Sequence, residues 1–207
     1  MFQKDGLFVL SAFSHSPHNL IPKLIKPNST ILDVGCNTGV MADALQGKNP
    51  TLDGIDINDA AIKIAKKKYR HVYKRDLYKP HMDIPKTTYD YIVFGDILEH
   101  LPRPDLTLTD ARKYLKKNGV IIASIPNIAR LELRLLHLMG TFDYTISGIM
   151  STDHLRFFTK TSAIKMFQEC GYTVEKVLPT GLGHLIKVFP TLTAFQFIYV
   201  CKLKGRR

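Results

Sequence analysis

The chain has 207 residues, a formal net charge of +11 and a hydrophobic content of 45%. This length suits one domain that buries a sizeable core. Its three cysteines form no Cys-x-x-Cys pair, which argues against a disulfide framework or a zinc site and fits a reducing cytoplasm. The beginning lacks a signal-peptide layout, and the longest uncharged apolar-rich stretch, 188–201, is too short to cross a bilayer. We therefore expect a cytoplasmic protein without a transmembrane segment.

The first two thirds of the chain alternate between predicted strands and helices. A leading helix over 18–25 ends at Lys26-Pro27. Strands are predicted at 30–34, 52–55, 71–75, 91–94 and 120–124, and helices at 40–45, 59–68 and 105–116. Asn118-Gly119 is expected to cap the last of these helices. Apolar strands separated by helices indicate an α/β fold with a parallel sheet and helices on both faces.

The last third has a different pattern. Helices are predicted at 127–139 and 161–170, and strands at 173–178 and 195–203. The two late strands predict an antiparallel hairpin that closes the sheet edge. Leu131, Leu135 and Leu138 share one face of the helix over 127–139. We expect this face to pack within a cap, with a lid or a surface for lipid or a partner as alternatives.

The basic charge is concentrated between residues 63 and 79. Lys63, Lys66 and Lys67 fall on one face of a predicted helix, which is typical of a solvated surface. Basic charge alone is weak evidence for nucleic-acid binding. The basic charge therefore does not favour a nucleic-acid partner.

A strand, a tight loop with Gly35 and Gly39, and a helix from Val40 form a unit that is typical of nucleotide binding. A dinucleotide-binding loop would have later glycines where this chain has Asn37 and Val40. The Gly-x-x-x-x-Gly-Lys-Ser/Thr pattern of phosphate-binding loops is also missing from the sequence. These differences argue against a dinucleotide or a nucleoside triphosphate.

Acidic residues follow the first four predicted strands: Asp33, Asp56, Asp76 and Asp96. In a doubly wound sheet the carboxyl ends of the strands share one crevice, so these acids are expected to gather there. They would repel phosphate and attract a ligand with an ammonium group, a sulfonium and ribose hydroxyls. S-adenosylmethionine has this chemistry.

Several motifs also resemble one family. Residues 33–39, Asp-Val-Gly-Cys-Asn-Thr-Gly, resemble motif I of the class I S-adenosylmethionine-dependent methyltransferases. Residues 89–101 resemble the fourth-strand motif of that family, and residues 115–120 resemble the stretch that enters strand five. The resemblance covers about 20–203 of the chain. It is closest to the small-molecule members of the family.

The resemblance implies a Rossmann-like doubly wound sheet, mostly parallel, with an antiparallel C-terminal hairpin strand and a helical cap inserted after strand five. We expect one domain over 1–207, with a cofactor-binding core at 18–126 and a substrate cap or lid at 127–160. The residues assigned to the cofactor are Asp33, Gly35, Cys36, Gly39, Asp56, Ile57, Asp76, Leu77 and Asp96.

Within that set, the resemblance places Asp33 near the methionine amino group and Asp56 on the ribose hydroxyls, while Asp76 and Leu77 lie beside the adenine. Asp56 could instead cap the following helix, and Asp76 could be an ordinary surface acid. The family loop often has glycine at the position of Asn37. Asparagine tolerates the left-handed conformation, so we expect the loop to form.

His100 and His154 are the candidates for work on the acceptor. His100 follows the fourth strand and titrates in the range of a general base, although it could be a structural histidine. His154 and Arg156 lie in a segment that resembles the Asp-x-His-x-Arg-Phe-Phe-Thr-like region of small-molecule methyltransferases. Arg156 could bind an acidic substrate group or cap the next helix. Asp153 and His154 alone are too little for a metal site, so we expect no metal.

The sequence therefore predicts methyl transfer from S-adenosylmethionine, with S-adenosylhomocysteine as product, to a small-molecule hydroxyl such as a sugar, a quinone precursor or a surface-glycan unit. An RNA or protein methyltransferase is the first alternative. Against it, residues 95–98 read Gly-Asp-Ile-Leu instead of the Asn/Asp-Pro-Pro-Tyr/Phe motif of base and amide methylators. A non-catalytic cofactor-binding protein is the second alternative, and the intact acidic set disfavours it. Peripheral membrane contact is a further option.

Overall fold

The computed structural model describes residues 16–79, 81–181 and 189–205, so the predicted domain over 1–207 extends beyond the described residues. One sheet contains β1 Thr30–Val34, β2 Thr51–Asp56, β3 His71–Lys74, β4 Tyr89–Gly95, β5 Leu115–Pro126, β6 Tyr172–Pro179 and β7 Gln196–Leu203. The strand order is β3-β2-β1-β4-β5-β7-β6. The first five strands pair in parallel, and β7 pairs antiparallel with both β5 and β6. The predicted fold class is confirmed.

The helices of the described residues are α1 Pro17–Leu24, α2 Val40–Ala44, α3 Asp59–Ala65, α4 Pro104–Ala111, α5 Leu131–Leu138, α6 Lys160–Glu169 and α7 Pro190–Thr193, with a 3-10 helix at Leu98–His100. Local capping explains two of the starts. The Asn58 side chain accepts hydrogen bonds from the first turn of α3, and Thr159 forms a capping box with Ser162 at α6. Within the described part of the chain, no helix has the length and apolar character needed to cross a membrane.

The two late strands, β6 and β7, form the predicted antiparallel hairpin at the sheet edge. The last strand in the sequence, β7, lies inside the sheet between β5 and β6. Its residues Phe197, Ile198 and Tyr199 are buried on both faces, whereas β6 is partly exposed at most positions. Burial on both faces therefore places β7 inside the sheet and leaves β6 at its edge.

The expected cap of the helix before strand five is wrong. Helix α4 ends at Ala111, and Gly119 lies inside β5, which already begins at Leu115. Pairing between β4 and β5 passes directly from Tyr89↔Leu115 to Tyr91↔Val120, so β5 carries extra residues here. A Cβ on Gly119 would lie 2.9 Å from the carbonyl oxygen of Tyr89, so a close backbone approach requires this glycine.

The helix predicted over 127–139 begins later, at Leu131. Asn127 is buried instead, and its amide donates to the carbonyl oxygens of Thr191 and Ala194. The face with Leu131, Leu135 and Leu138 was expected to pack, but these side chains are 49%, 51% and 84% exposed. Leu133 is the buried residue of α5, because it packs in a small separate cluster with Ile149 and Met150.

Candidate functional site

A cavity of about 400 Å³ lies at the carboxyl ends of β1, β2, β4 and β5. The residues predicted for the site that line it are Asp33, Gly35, Cys36, Asp56, Asp96 and His100. Gly39, Ile57, Asp76, Leu77 and His154 are not among its lining residues. The crossing of the strand order at β1 and β4 places the cavity at the switch point of the sheet, where ligands of open α/β folds bind.

The loop after β1 has the left-handed conformations that its sequence predicts. Gly35 has a φ of 78° and Asn37 a φ of 46°, which confirms that asparagine serves in the place of the family glycine. A Cβ on Gly35 would lie 3.0 Å from the Ile97 side chain. Gly39 is the N-cap residue of α2, and a Cβ there would lie 2.9 Å from the Tyr69 ring. Gly35 therefore shapes the cavity, whereas Gly39 allows the helix to pack closely on Tyr69.

Asp56 forms the acidic end of β2. One carboxylate oxygen accepts a hydrogen bond from the Asn37 amide at 2.8 Å, and the other accepts from the Ile57 and Asn58 amides at 2.8 and 2.9 Å. The alternative that Asp56 caps α3 is wrong, because Asn58 is the capping residue. Asp56 instead joins the Gly-containing loop to β2 at the cavity.

Asp33 is buried at the end of β1. The Tyr69 hydroxyl donates to its carboxylate at 2.6 Å. Burial raises the pKa of Asp33 to about 6, which the Tyr69 hydrogen bond opposes and the nearby Asp56 charge reinforces. Asp33 is therefore ionised at neutral pH, yet it remains sensitive to mild acid.

Asp96 has a φ of 51°, and two other strands hold its side chain. Its Oδ1 accepts from the Ser124 hydroxyl at 2.5 Å and from the Gln196 amide at 2.9 Å. The sequence reasoning missed Ser124, which also lines the cavity, and Gln196. A polar residue near the end of the apolar strand β5 was the available clue to Ser124.

The pair assigned to the adenine lies farther along the same sheet edge, after β3. The Asp76 carboxylate accepts from the Tyr78 amide at 3.0 Å, and Leu77 is packed in the main core. Asp76 thus has a local hydrogen bond that an ordinary surface acid could also make. The assignment of both residues to the adenine stays a prediction.

The segment around His154 is attached to the 3-10 helix that follows β4. The backbone amides of Leu155 and Arg156 donate to the carbonyl oxygen of Glu99 at 2.8 and 3.0 Å. The Arg156 guanidinium donates to the Pro102 carbonyl oxygen at 3.1 and 2.6 Å. Arg156 therefore anchors the cap, and the expectation that it caps the next helix is wrong, because Thr159 does so.

This attachment brings His100 and His154 together. Their ring centroids are 4.8 Å apart in an edge-to-face arrangement. Nδ1 of His100 lies 2.9 Å from the Asp153 carbonyl oxygen, and Nδ1 of His154 lies 2.9 Å from that of Ile149. A carbonyl oxygen only accepts, so each Nδ1 carries a proton, and Nε2 is the nitrogen without a proton in the neutral form of either ring.

Glu99 lies beside these two histidines and was not predicted as a site residue. It is 1% exposed, and neither carboxyl oxygen has a hydrogen-bond partner within the described ranges. Burial, with the nearby charge of Asp96, raises the pKa of Glu99 well above its usual range. Burial, together with His100, lowers the pKa of His154, so its ring is neutral at neutral pH.

Comparison with known proteins identifies the family. A family model described as a methyltransferase domain matches residues 8–177. The chain belongs to the methyltransferase domain family. This methyltransferase is 25% identical over 169 residues to the ubiquinone biosynthesis O-methyltransferase of Thiobacillus denitrificans. The matched region covers 77% of this chain and 71% of that relative.

Solved structures agree with the methyltransferase fold. A SAM-dependent methyltransferase from Methanosarcina mazei has a TM-score of 0.65 at 16% identity, over 90% of this chain and 98% of that one. The magnesium protoporphyrin IX methyltransferase of Synechocystis, solved with bound SAH, has a TM-score of 0.63 at 15% identity. The match covers 90% of this chain and 78% of that one. The family, the fold and the enzyme class predicted from the sequence are confirmed, and the predicted cofactor agrees with these neighbours.

Proposed function

We propose that this methyltransferase transfers a methyl group from S-adenosylmethionine to a hydroxyl of a small-molecule acceptor. The observation that carries the proposal is the acidic cavity lined by Asp33, Asp56 and Asp96, with an imidazole, His100, at the same cavity. Carboxylates favour the ammonium and sulfonium charges and the ribose hydroxyls of this donor. The cavity is therefore complementary to a cationic nucleoside.

Acidic residues at the ends of β1, β2 and β3 would hold the methionine, ribose and adenine parts of the cofactor. Asp56 already accepts backbone hydrogen bonds, but a carboxylate has about four lone-pair sites, so it retains capacity for ribose hydroxyls. Asp33 faces the methionine end and attracts its ammonium group. Asp76 and Leu77 lie on the side of β3 and receive the adenine.

The acceptor meets the methyl group beside Asp96 and His100. Holding the acceptor oxygen in line with the methyl group can supply roughly 7–11 kcal/mol of the barrier reduction. A hydroxyl must lose its proton as the new C–O bond forms, and the free Nε2 of His100 takes that proton. A positioned base typically contributes about 10²–10⁴-fold in rate.

The residues 127–160 form the substrate cap over the core at 18–126, and His154 contacts the acceptor. The docked backbone of Leu155 and Arg156 supports this role, because it places His154 against His100. The name of the Thiobacillus denitrificans relative, which specifies an O-methyltransferase, supports oxygen as the methylated atom. Of the three acceptor types considered, a quinone precursor agrees best with that name.

The basic surface offers little support for an RNA acceptor. A second cavity of about 1210 Å³ includes Lys26, Arg112, Lys117 and Lys204 in its lining. It lies at the amino ends of β1 and β4, whereas the acidic cavity lies at their carboxyl ends. A polyanion bound there would face away from the methyl group.

Calorimetry with S-adenosylmethionine tests the proposal. Asp56→Ala should weaken binding about 10–100-fold, because a hydrogen bond to a charged group contributes roughly 1.5–3 kcal/mol. Asp59→Ala is the matched control, since Asp59 is an exposed acid of the neighbouring helix that pairs with Lys74. Absence of binding by the parent protein, or equal losses in both variants, would refute the cofactor assignment. Turnover of a panel of hydroxylated aromatic and sugar acceptors then tests the acceptor class.

A further inference from the structure

Three side chains that the cofactor does not use converge beside the cavity. Glu99 and His100 come from the 3-10 helix after β4, and His154 comes from the cap. Their nearest ligand-type atoms all lie within 4.8 Å of one another. Chain segments separated by more than 50 residues thus contribute to one cluster.

Glu99 is the member that ordinary packing does not explain. It is 1% exposed, and neither carboxyl oxygen has a hydrogen-bond partner in the described part of the chain. Buried carboxyl groups are normally hydrogen-bonded, paired with a charge or bound to a metal. Two arginines close to Glu99 have other partners. Arg103 pairs with Asp105, and Arg156, whose backbone amide donates to the Glu99 carbonyl oxygen, directs its guanidinium to Pro102. A bound cation would supply the missing partner for this carboxyl group.

Both imidazoles are already arranged as metal ligands. Each Nδ1–H donates to a backbone carbonyl oxygen, which fixes the ring and leaves Nε2 unprotonated in its neutral form. Metal-binding histidines almost always donate their other ring N–H in this way. A neutral imidazole with a free Nε2 is also the form that binds a metal.

We propose that Glu99, His100 and His154 bind one divalent transition-metal ion of the zinc type beside the cofactor cavity. Two imidazoles and one carboxylate suit Zn²⁺, Co²⁺ or Fe²⁺, whereas Mg²⁺ and Ca²⁺ prefer oxygen ligands alone. Ligand atoms at about 2.1 Å from one zinc ion lie roughly 3–4 Å apart. One ligand-type atom of each of the three side chains already lies within 4.8 Å of the others. Three protein ligands leave an open position for water or substrate.

The proposed site differs from the sequence-based expectation of no metal, which considered Asp153 and His154 alone. It also gives His100 a role that competes with proton transfer, because its Nε2 can hold either a proton or the ion. Binding of the ion itself does not depend on the nature of the acceptor. It would join the cap to the core through side chains as well as through the backbone bonds of Leu155 and Arg156.

Cobalt titration of the full-length protein, without a histidine tag and after chelator treatment, tests the site. We expect ligand-field absorption that saturates at one Co²⁺ per chain and disappears when Zn²⁺ is added. Glu99→Gln and His154→Ala should each weaken binding at least about 100-fold, since even the loss of a second-shell partner costs about 10–100-fold. His71→Ala is the control, because His71 is an exposed histidine at the start of β3.

The proposal is overturned if the parent protein binds no stoichiometric Co²⁺, or if His71→Ala lowers the affinity as much as Glu99→Gln does. Glu99→Gln nearly preserves size and shape, so it guards against simple loss of folding. Calorimetry with S-adenosylmethionine on the same samples should show unchanged cofactor affinity. Failure of the metal site is thereby distinguished from failure of the proposed methyl transfer.

Discussion

At the scale of single residues, two buried acids beside one cavity have different environments. Asp33 receives a hydrogen bond from Tyr69, whereas Glu99 receives none from any residue that the structure describes. Burial raises the pKa of both carboxyl groups. The Tyr69 hydroxyl opposes this shift at Asp33, whereas only the residue's own backbone amide opposes it at Glu99. The hydrogen bond keeps Asp33 available as an anion for a cationic ligand.

The first prediction concerns the pH dependence of cofactor binding. The pKa of Asp33 is about 6, so affinity for S-adenosylmethionine should fall as the pH drops below that value, by up to about tenfold per pH unit. Tyr69→Phe should move the inflection of the affinity–pH curve to higher pH, because it removes the donor that lowers the pKa of Asp33. Asp33→Asn should abolish the inflection. Calorimetry between mildly acidic and neutral pH measures all three, and an unchanged inflection in Tyr69→Phe would contradict the assignment.

The same pKa shift affects stability in the opposite direction. A carboxyl group whose pKa is raised on folding stabilises the protein when protonated, so this contribution is present below the unfolded pKa of 3.8. It is lost as the pH rises through about 6. Asp33→Asn should therefore gain stability relative to the parent as the pH rises from 3.8 to about 6 and keep that gain at higher pH, which denaturant unfolding at several pH values can measure.

The second residue-scale prediction concerns His100. If its Nε2 is the base, His100→Gln should lower kcat about 10²–10⁴-fold and leave cofactor affinity nearly unchanged. His71→Gln should have no effect on either quantity, because His71 lies away from the cavity at the start of β3. Stopped assays with a methylated-product readout measure kcat. Full activity of His100→Gln would remove the base from the proposal.

At the scale of elements, strand β5 has an irregularity that requires glycine. Gly119→Ala should destabilise the fold by about 1–3 kcal/mol, because the new methyl would press on the Tyr89 backbone and on Leu115. Gly95→Ala in the neighbouring strand is the control, since a Cβ there would meet nothing within 4 Å. Urea unfolding of the two variants gives the comparison, and equal stabilities would contradict the packing argument.

Local sequence patterns predict some elements of this fold and not others. Strand positions, the helices between them and the Asn37 loop conformation follow from hydrophobic periodicity and turn chemistry, which act over a few residues. The interior position of β7 and the exposed face of α5 do not follow from such patterns. They depend on which surfaces the rest of the sheet and the cap leave available for burial.

At the scale of the whole molecule, charge is separated between the two ends of the strands. Asp33, Asp56 and Asp96 line the cavity at the carboxyl ends, and basic residues line the larger cavity at the amino ends. The net charge of +11 therefore coexists with a site that favours a cationic ligand. An electrostatic inference from net charge alone would have indicated the wrong kind of ligand for this cavity.

The whole-molecule prediction follows from this site at the centre of the sheet. S-adenosylmethionine at about 100 times its dissociation constant should stabilise the folded protein by roughly 2.7 kcal/mol. Thermal unfolding with and without the cofactor measures the shift in Tm, and Asp56→Ala provides the control at the same cofactor concentration. A parent protein whose Tm does not respond would contradict binding in this cavity.

The sequence by itself determined the α/β class, the Gly-containing loop and the acids at the strand ends, because each depends on residues that are close together in the chain. Only the tertiary structure decided which groups support those acids. Tyr69 lies 36 residues from Asp33, and Gln196 lies 100 residues from Asp96. The meeting of Glu99, His100 and His154 has the same origin, since it requires the cap to dock on the helix after β4. Contacts over such separations arise from packing of the whole fold, which no local pattern encodes.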